Sequence, residues 1–118
     1  MQCLTLKTLQ TMQMQFKSKP TRQDALVVAI RYAHQFGLTN ASLSREYGLY
    51  RRSLTNISQG KTIRLNRQWY YDQLILALNN ARLRAKNRHR DDLAQEIAKA
   101  MLHISLVHSN IAPDDENN

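Results

Sequence analysis

An all-α fold of four to five helices, with an additional amphipathic helix near the C-terminus, is predicted by three features of this sequence. Glycine and proline together number five in 118 residues, too few for the turns of a many-stranded β fold. Apolar residues make up 42% of the chain and mostly recur at three- and four-residue steps. The apolar stretches tend to open after Thr, Asn or Asp and to stop at glycine, which is the chemistry of helix ends. A chain of this length builds one domain around a modest core.

The N-terminal segment, 1–20, is ambiguous. Leu9, Met12 and Phe16 fall at helical spacing, whereas Met12, Met14 and Phe16 alternate as in a strand. It reads as an arm or a partner-binding segment, closed at Lys19-Pro20 because a residue before proline avoids the α region. Thr21 with Asp24 then makes a capping box, and a helix is expected to about Phe36. Leu26, Ala29, Ile30 and Ala33 share one face of it, and Gly37 is its stop. Thr39 caps a second helix, Asn40 to Tyr47, with Leu43 and Tyr47 inward and Gly48 breaking it. A third runs from Arg51 to Ser58, with Leu54 and Ile57 inward and Gly60 at its end. Asn66 is expected to cap a fourth carrying Tyr70, Leu74, Ala77 and Leu78, and Asp92 with Gln95 marks a further start. From there Leu93, Ile97, Ala100, Met101, Ile104 and Val107 form an amphipathic stripe. The expected division is therefore 1–20 arm, 21–80 principal domain, 81–110 basic connector and C-terminal helix, and 111–118 a polar, disordered tail.

Charge is unevenly placed. The net value is +8, made of +3 in 1–20, +10 in 21–90 and −5 in 91–118. A basic middle with an acidic end predicts a polyanionic partner for the middle, against the plainer alternative of charge kept for solubility. The single cysteine, Cys3, has no internal disulfide partner, which fits a reducing compartment. Ala25–Ile30 is the longest purely apolar run, far short of a membrane span, and Gln and Lys interrupt the N-terminus where a secretory signal needs an apolar core. A cytoplasmic protein that does not engage membranes is expected.

Function concentrates in Leu38–Lys61, LTNASLSREYGLYRRSLTNISQGK. Two short helices meet at Gly48, which takes positive φ without steric cost. Leu43, Tyr47, Leu49, Leu54 and Ile57 would lock them together, leaving Arg51, Arg52, Thr55, Asn56 and Gln59 on a polar outer face. This stretch resembles the helix-turn-helix of the lambda-repressor-like family, also called the Cro/repressor or XRE type. The family pattern, roughly L-T-x-x-x-L-A-x-x-x-G-V-S-x-x-x-I-S-x-x-E-x-G-K, fits without a gap. Leu38, Thr39, Leu43, Gly48, Leu49, Leu54, Gly60 and Lys61 agree with it in kind, Ile57 adds an apolar residue at an open position, and the flanking helices extend the resemblance over about 21–79. The departures that bear on structure are these. Ser44 replaces the small alanine, and Tyr50 stands where the second helix usually has a Ser or Thr cap. Ser58 replaces an acid that in many members pairs with an arginine at the position of Ala33. Losing both halves of such a pair together is tolerable, whereas losing one is costly.

The resemblance implies a compact helix-turn-helix bundle, with the motif at Thr39–Gln59, that binds double-stranded DNA sequence-specifically as a transcriptional regulator of phage or mobile-element type. It implies base contacts from Arg51, Arg52 and Asn56, with Tyr50 and Thr55 as weaker candidates. Arginine pairs with guanine O6 and N7, and asparagine with adenine N6 and N7. Asn40, Lys61, Arg64 and Arg67 are the expected phosphate contacts, which hold register without reading sequence. Family members usually act as dimers, and the Leu93–Val107 stripe is either a homodimer surface or ordinary core folded onto Tyr70, Leu74 and Leu78. Two other readings stand beside this one: an antitoxin-like or adaptor module that holds another protein, and a non-specific RNA or DNA binder using Arg82, Arg84, Lys86, Arg88 and Arg90. No enzyme chemistry is expected. There is no phosphate-cradling glycine loop, no nucleophile–base pair stands out, and His34, His89, His103 and His108 lack the spacing of a ligand set, so neither metal nor cofactor is expected.

Overall fold

A computed structural model describes residues 19–111. They form five helices and no strand: α1 (Arg22–Gln35), α2 (Asn40–Tyr47), α3 (Arg51–Ser58), α4 (Arg67–Asn87) and α5 (Asp91–Ser109). Positions 1–18 of the expected 1–20 arm and 112–118 of the expected 111–118 disordered tail lie outside the described residues, whereas Ile111, placed in that tail, is buried in the core where α5 ends.

Helix ends follow local chemistry where that chemistry is present. At α1 the Asp24 N–H donates to Thr21 Oγ1 at 3.1 Å, and the Thr21 N–H donates to Asp24 Oδ2 at 2.7 Å, a complete capping box. Thr39 and Ser42 repeat the device at α2. Gly37 ends α1 in a Schellman turn, at φ 87°, with Leu38 N–H bonded to Ala33 O at 2.9 Å. Gly60 does the same for α3, with Lys61 N–H on Asn56 O at 2.8 Å.

Several boundaries differ from the sequence expectation. α4 runs unbroken through position 80 to Asn87, so the basic residues 82–86 are its last turns and no connector separates two units there. His89, at φ 59°, closes α4 by donating to Lys86 O at 3.0 Å while Arg90 N–H reaches Ala85 O at 2.8 Å, a glycine-type stop made without glycine. α5 starts at Asp91, one residue ahead of the start expected at Asp92. Backbone hydrogen bonding from Leu93 holds the Asp92 carboxyl below its usual range, and Arg90 adds to the effect. Asn66 does precede α4, but it sits at φ 60° and its side chain makes no cap.

α4 and α5 form an antiparallel hairpin in which the Tyr71 ring, near the start of α4, stacks on His108, near the end of α5, at 4.1 Å between centroids. α1 lies across both. Arg22 at its start bonds Gln68 at the start of α4, and Tyr32 further along donates to or accepts from His103 Nδ1 of α5 at 2.6 Å. α1 therefore runs parallel to α4 and antiparallel to α5. One core joins all five helices, with Leu26, Ile30, Leu43, Leu54, Ile57, Leu74, Leu78, Ile97 and Ile104 fully buried in it.

This decides the role of the C-terminal stripe. Ile97, Ala100, Ile104 and Val107 are buried within the monomer, and Leu93 and Met101 pack against the same cluster. The stripe expected as a candidate dimer surface is core, because α5 folds back along α4 and α1. The leucines that α5 does expose, Leu102 and Leu106, are on its other side.

Candidate nucleic-acid interface

Gly48 ends α2 in the left-handed region at φ 75°, its N–H bonded to Ser44 O at 3.0 Å. A Cβ there would meet only the Trp69 ring, at 3.8 Å, so backbone conformation rather than space selects glycine. The chain then turns through Leu49, which is buried, into α3. Leu54 and Ile57 anchor α3 to the core with no exposure. Relative to Arg51, steps of roughly 100° per residue place Thr55 at about 40°, Gln59 at about 80°, Arg52 at about 100° and Asn56 at about 140°. Those five side chains share the side opposite Leu54 and Ile57. Arg51, Arg52, Thr55 and Gln59 are exposed, while Asn56 is half-buried at the margin of that face.

Tyr50 is the N-cap of α3 and its side chain makes no capping bond, as its chemistry leads one to expect. Its ring is 75% exposed, which leaves it available beside the outer face. Ser58 turns its hydroxyl back on Leu54 O at 2.7 Å, and Ala33 is fully buried. Neither position carries a charge that needs a partner.

Of the expected phosphate contacts, Lys61 and Arg64 are exposed in the segment after α3, and Arg67, the first residue of α4, is half-buried. Asn40, the first residue of α2, is half-buried, and its amide lies 3.5 Å from Thr55 Oγ1. The structure thus brings a residue from each of the two motif helices together.

Sequence reasoning missed the side chains that support this surface. Gln23 of α1 grips the segment after α3 by both ends of its amide: Nε2 donates to Lys61 O at 2.9 Å, and Oε1 accepts from Ile63 N–H at 3.1 Å. Tyr47 is held to α4 at its carbonyl by Gln73 and at its hydroxyl by Asn80, each at 3.0 Å. His34 holds Asn40 at 2.7 Å. Gln23, Gln73 and Asn80 are separated from their partners by at least 26 residues, so no local pattern marks them.

The rest of the molecule is less organised. Arg82 is occupied by Asn79, which accepts from its Nε and Nη2, and Arg90 pairs with Asp92 at 3.5 Å across exposed surface. Among the described residues no three His, Cys, Asp or Glu cluster as metal ligands, and no helix is long and apolar enough to cross a membrane. Set against family models, curated proteins and solved structures, the chain matches none.

Proposed function

We propose that this protein binds double-stranded DNA sequence-specifically, with α3 in the major groove, and acts as a transcriptional regulator. The observation that carries the reading is the pairing of α2 and α3 about a left-handed Gly48, with Arg51, Arg52, Thr55 and Gln59 turned outward from a helix whose other side is fully buried. A slim helix with that outer chemistry suits the donor and acceptor pattern of base edges. The exposed Lys61 and Arg64 beside it suit phosphates, and the +10 charge of 21–90 suits a polyanion. The resemblance of Leu38–Lys61 to the lambda-repressor-like pattern points the same way. A cytoplasmic location, with the DNA, goes with this reading.

Recovery of binding sites from a pool of random duplex DNA tests it. An enriched consensus a few base pairs wide per α3 is the expected result, and a pool that stays random through successive rounds overturns sequence-specific binding. A palindromic consensus would mean two copies on one site. Such pairing uses a surface other than the inner stripe of α5, which the core occupies.

A further inference from the structure

We infer that His34 is a positioning residue that makes Asn40 and Thr55 a one-way hydrogen-bond relay aimed at a DNA phosphate. This rests on the DNA-binding reading above and adds to it a residue outside the two motif helices. His34 lies in the last turn of α1, is exposed, and places Nε2 2.7 Å from Asn40 Oδ1. A carboxamide oxygen only accepts, so Nε2 carries the proton and donates. The Asn40 nitrogen then faces the other way, with Nδ2 3.5 Å from Thr55 Oγ1.

The consequence is directional. With its oxygen turned to His34, Asn40 presents the N–H donors of its amide on the opposite side. A phosphate oxygen only accepts, so this is the orientation that binds it, whereas the flipped amide would turn an oxygen toward an anion. Thr55, on the exposed face of α3, receives at Oγ1 and keeps its own hydroxyl proton to give. Each bond in such a chain polarises the next in the same sense. His34 thereby sets the polarity of two groups on the proposed DNA face without itself needing to touch the nucleic acid.

The test uses the full chain and a short mixed-sequence duplex, because a phosphate contact acts on all sequences alike, with affinity read over a salt series. His34→Leu is expected to weaken binding by about five- to tenfold at every salt concentration, in line with loss of one ordinary hydrogen bond. The log-affinity against log-salt slope stays unchanged, because His34 acts through Asn40 and gives up no phosphate contact of its own. His34→Gln restores most of the affinity, since its amide nitrogen can stand where the ring Nε2 stood. Asn40→Ala weakens binding as His34→Leu does, and the double variant weakens it no further. In the absence of DNA, nitrogen NMR of the neutral His34 ring is expected to show the proton on Nε2 and to respond to Asn40→Ala. Wild type that binds while His34→Leu binds equally well overturns the relay alone, as does a ring protonated on Nδ1. A slope that falls by about one unit in His34→Leu would make His34 a plain cationic contact and also overturns it. Wild type that fails to bind the duplex even at low salt overturns the DNA-binding reading and the relay's role with it.

Discussion

Single side chains on α3 divide by how far they stand from the core. Arg51 and Arg52 project freely, whereas Asn56 is half-buried at the edge of the outer face. On the proposed reading, Asn56 is the residue of this face suited to a bidentate bond to adenine. Asn56→Ala is accordingly expected to cost about 1–3 kcal/mol on the preferred duplex and to relax choice at one or two base pairs. Competition between matched and single-mismatch duplexes measures it, and a variant with undiminished preference removes Asn56 from the reading surface. On α4, Tyr71 carries a second residue-scale consequence. Burial raises its hydroxyl above the ordinary phenol range, and nearby Asp72 raises it further. The folded-state pKa exceeds the unfolded one, so this group's contribution to stability is fully present below the unfolded value of about 10 and is lost as pH rises through the folded value. Denaturant midpoints taken across that alkaline window should fall more steeply for wild type than for Tyr71→Phe.

Helices here begin and end by two kinds of signal. Thr21, Thr39, Gly37, Gly48 and Gly60 act through their own backbone neighbours, and the elements they bound follow the sequence to within a residue. α4 ends instead at His89, a residue with no intrinsic preference for the left-handed region strong enough to announce a stop. That is why the end of α4 was not legible and why a boundary at 80 was expected where the helix continues. Gly48 is the element-scale test. The surroundings admit a Cβ, so Gly48→Ala pays only for left-handed backbone, about 1–2 kcal/mol. Asparagine tolerates that region better, and urea midpoints are expected to rank Gly48 above Gly48→Asn and Gly48→Asn above Gly48→Ala. Equal midpoints for all three would mean that the turn relaxes out of the left-handed region.

At the scale of the whole molecule the C-terminal helix is part of what holds the motif in shape. Ile97 is 1% exposed in the core shared with α1 and α4. Ile97→Glu puts a carboxylate where no partner waits, and the expected outcome is loss of the helical circular-dichroism signal. A folded Ile97→Glu protein that merely changes its sedimentation would return the stripe to the role of an interface. The charge pattern is also a property of the whole. Arg64 stands exposed after α3 in the basic middle of the chain. Arg64→Ala should weaken binding to unrelated duplexes by the same factor and flatten the log-affinity against log-salt slope by about one unit. Weakening confined to one sequence would instead make Arg64 a base contact.

Local patterns sufficed for the helical class, α2 and α3 in full, the start of α1, and the polar set Arg51, Arg52, Thr55 and Gln59, because periodicity and caps act between residues a few positions apart. They also located the break at Gly48, where backbone conformation alone selects the residue. That the Leu93–Val107 stripe is core emerges from the packing of α5 on α1 and α4, since an apolar face reads the same whether it covers its own chain or another. Likewise, only the fold joined Gln23 to the Lys61 segment and His34 to Asn40. The Gln23 pairing spans 38 residues, and the His34 pairing, though six residues apart, crosses the left-handed turn at Gly37. No helical or strand period links such positions, so their meeting depends on where α1 comes to rest against the motif.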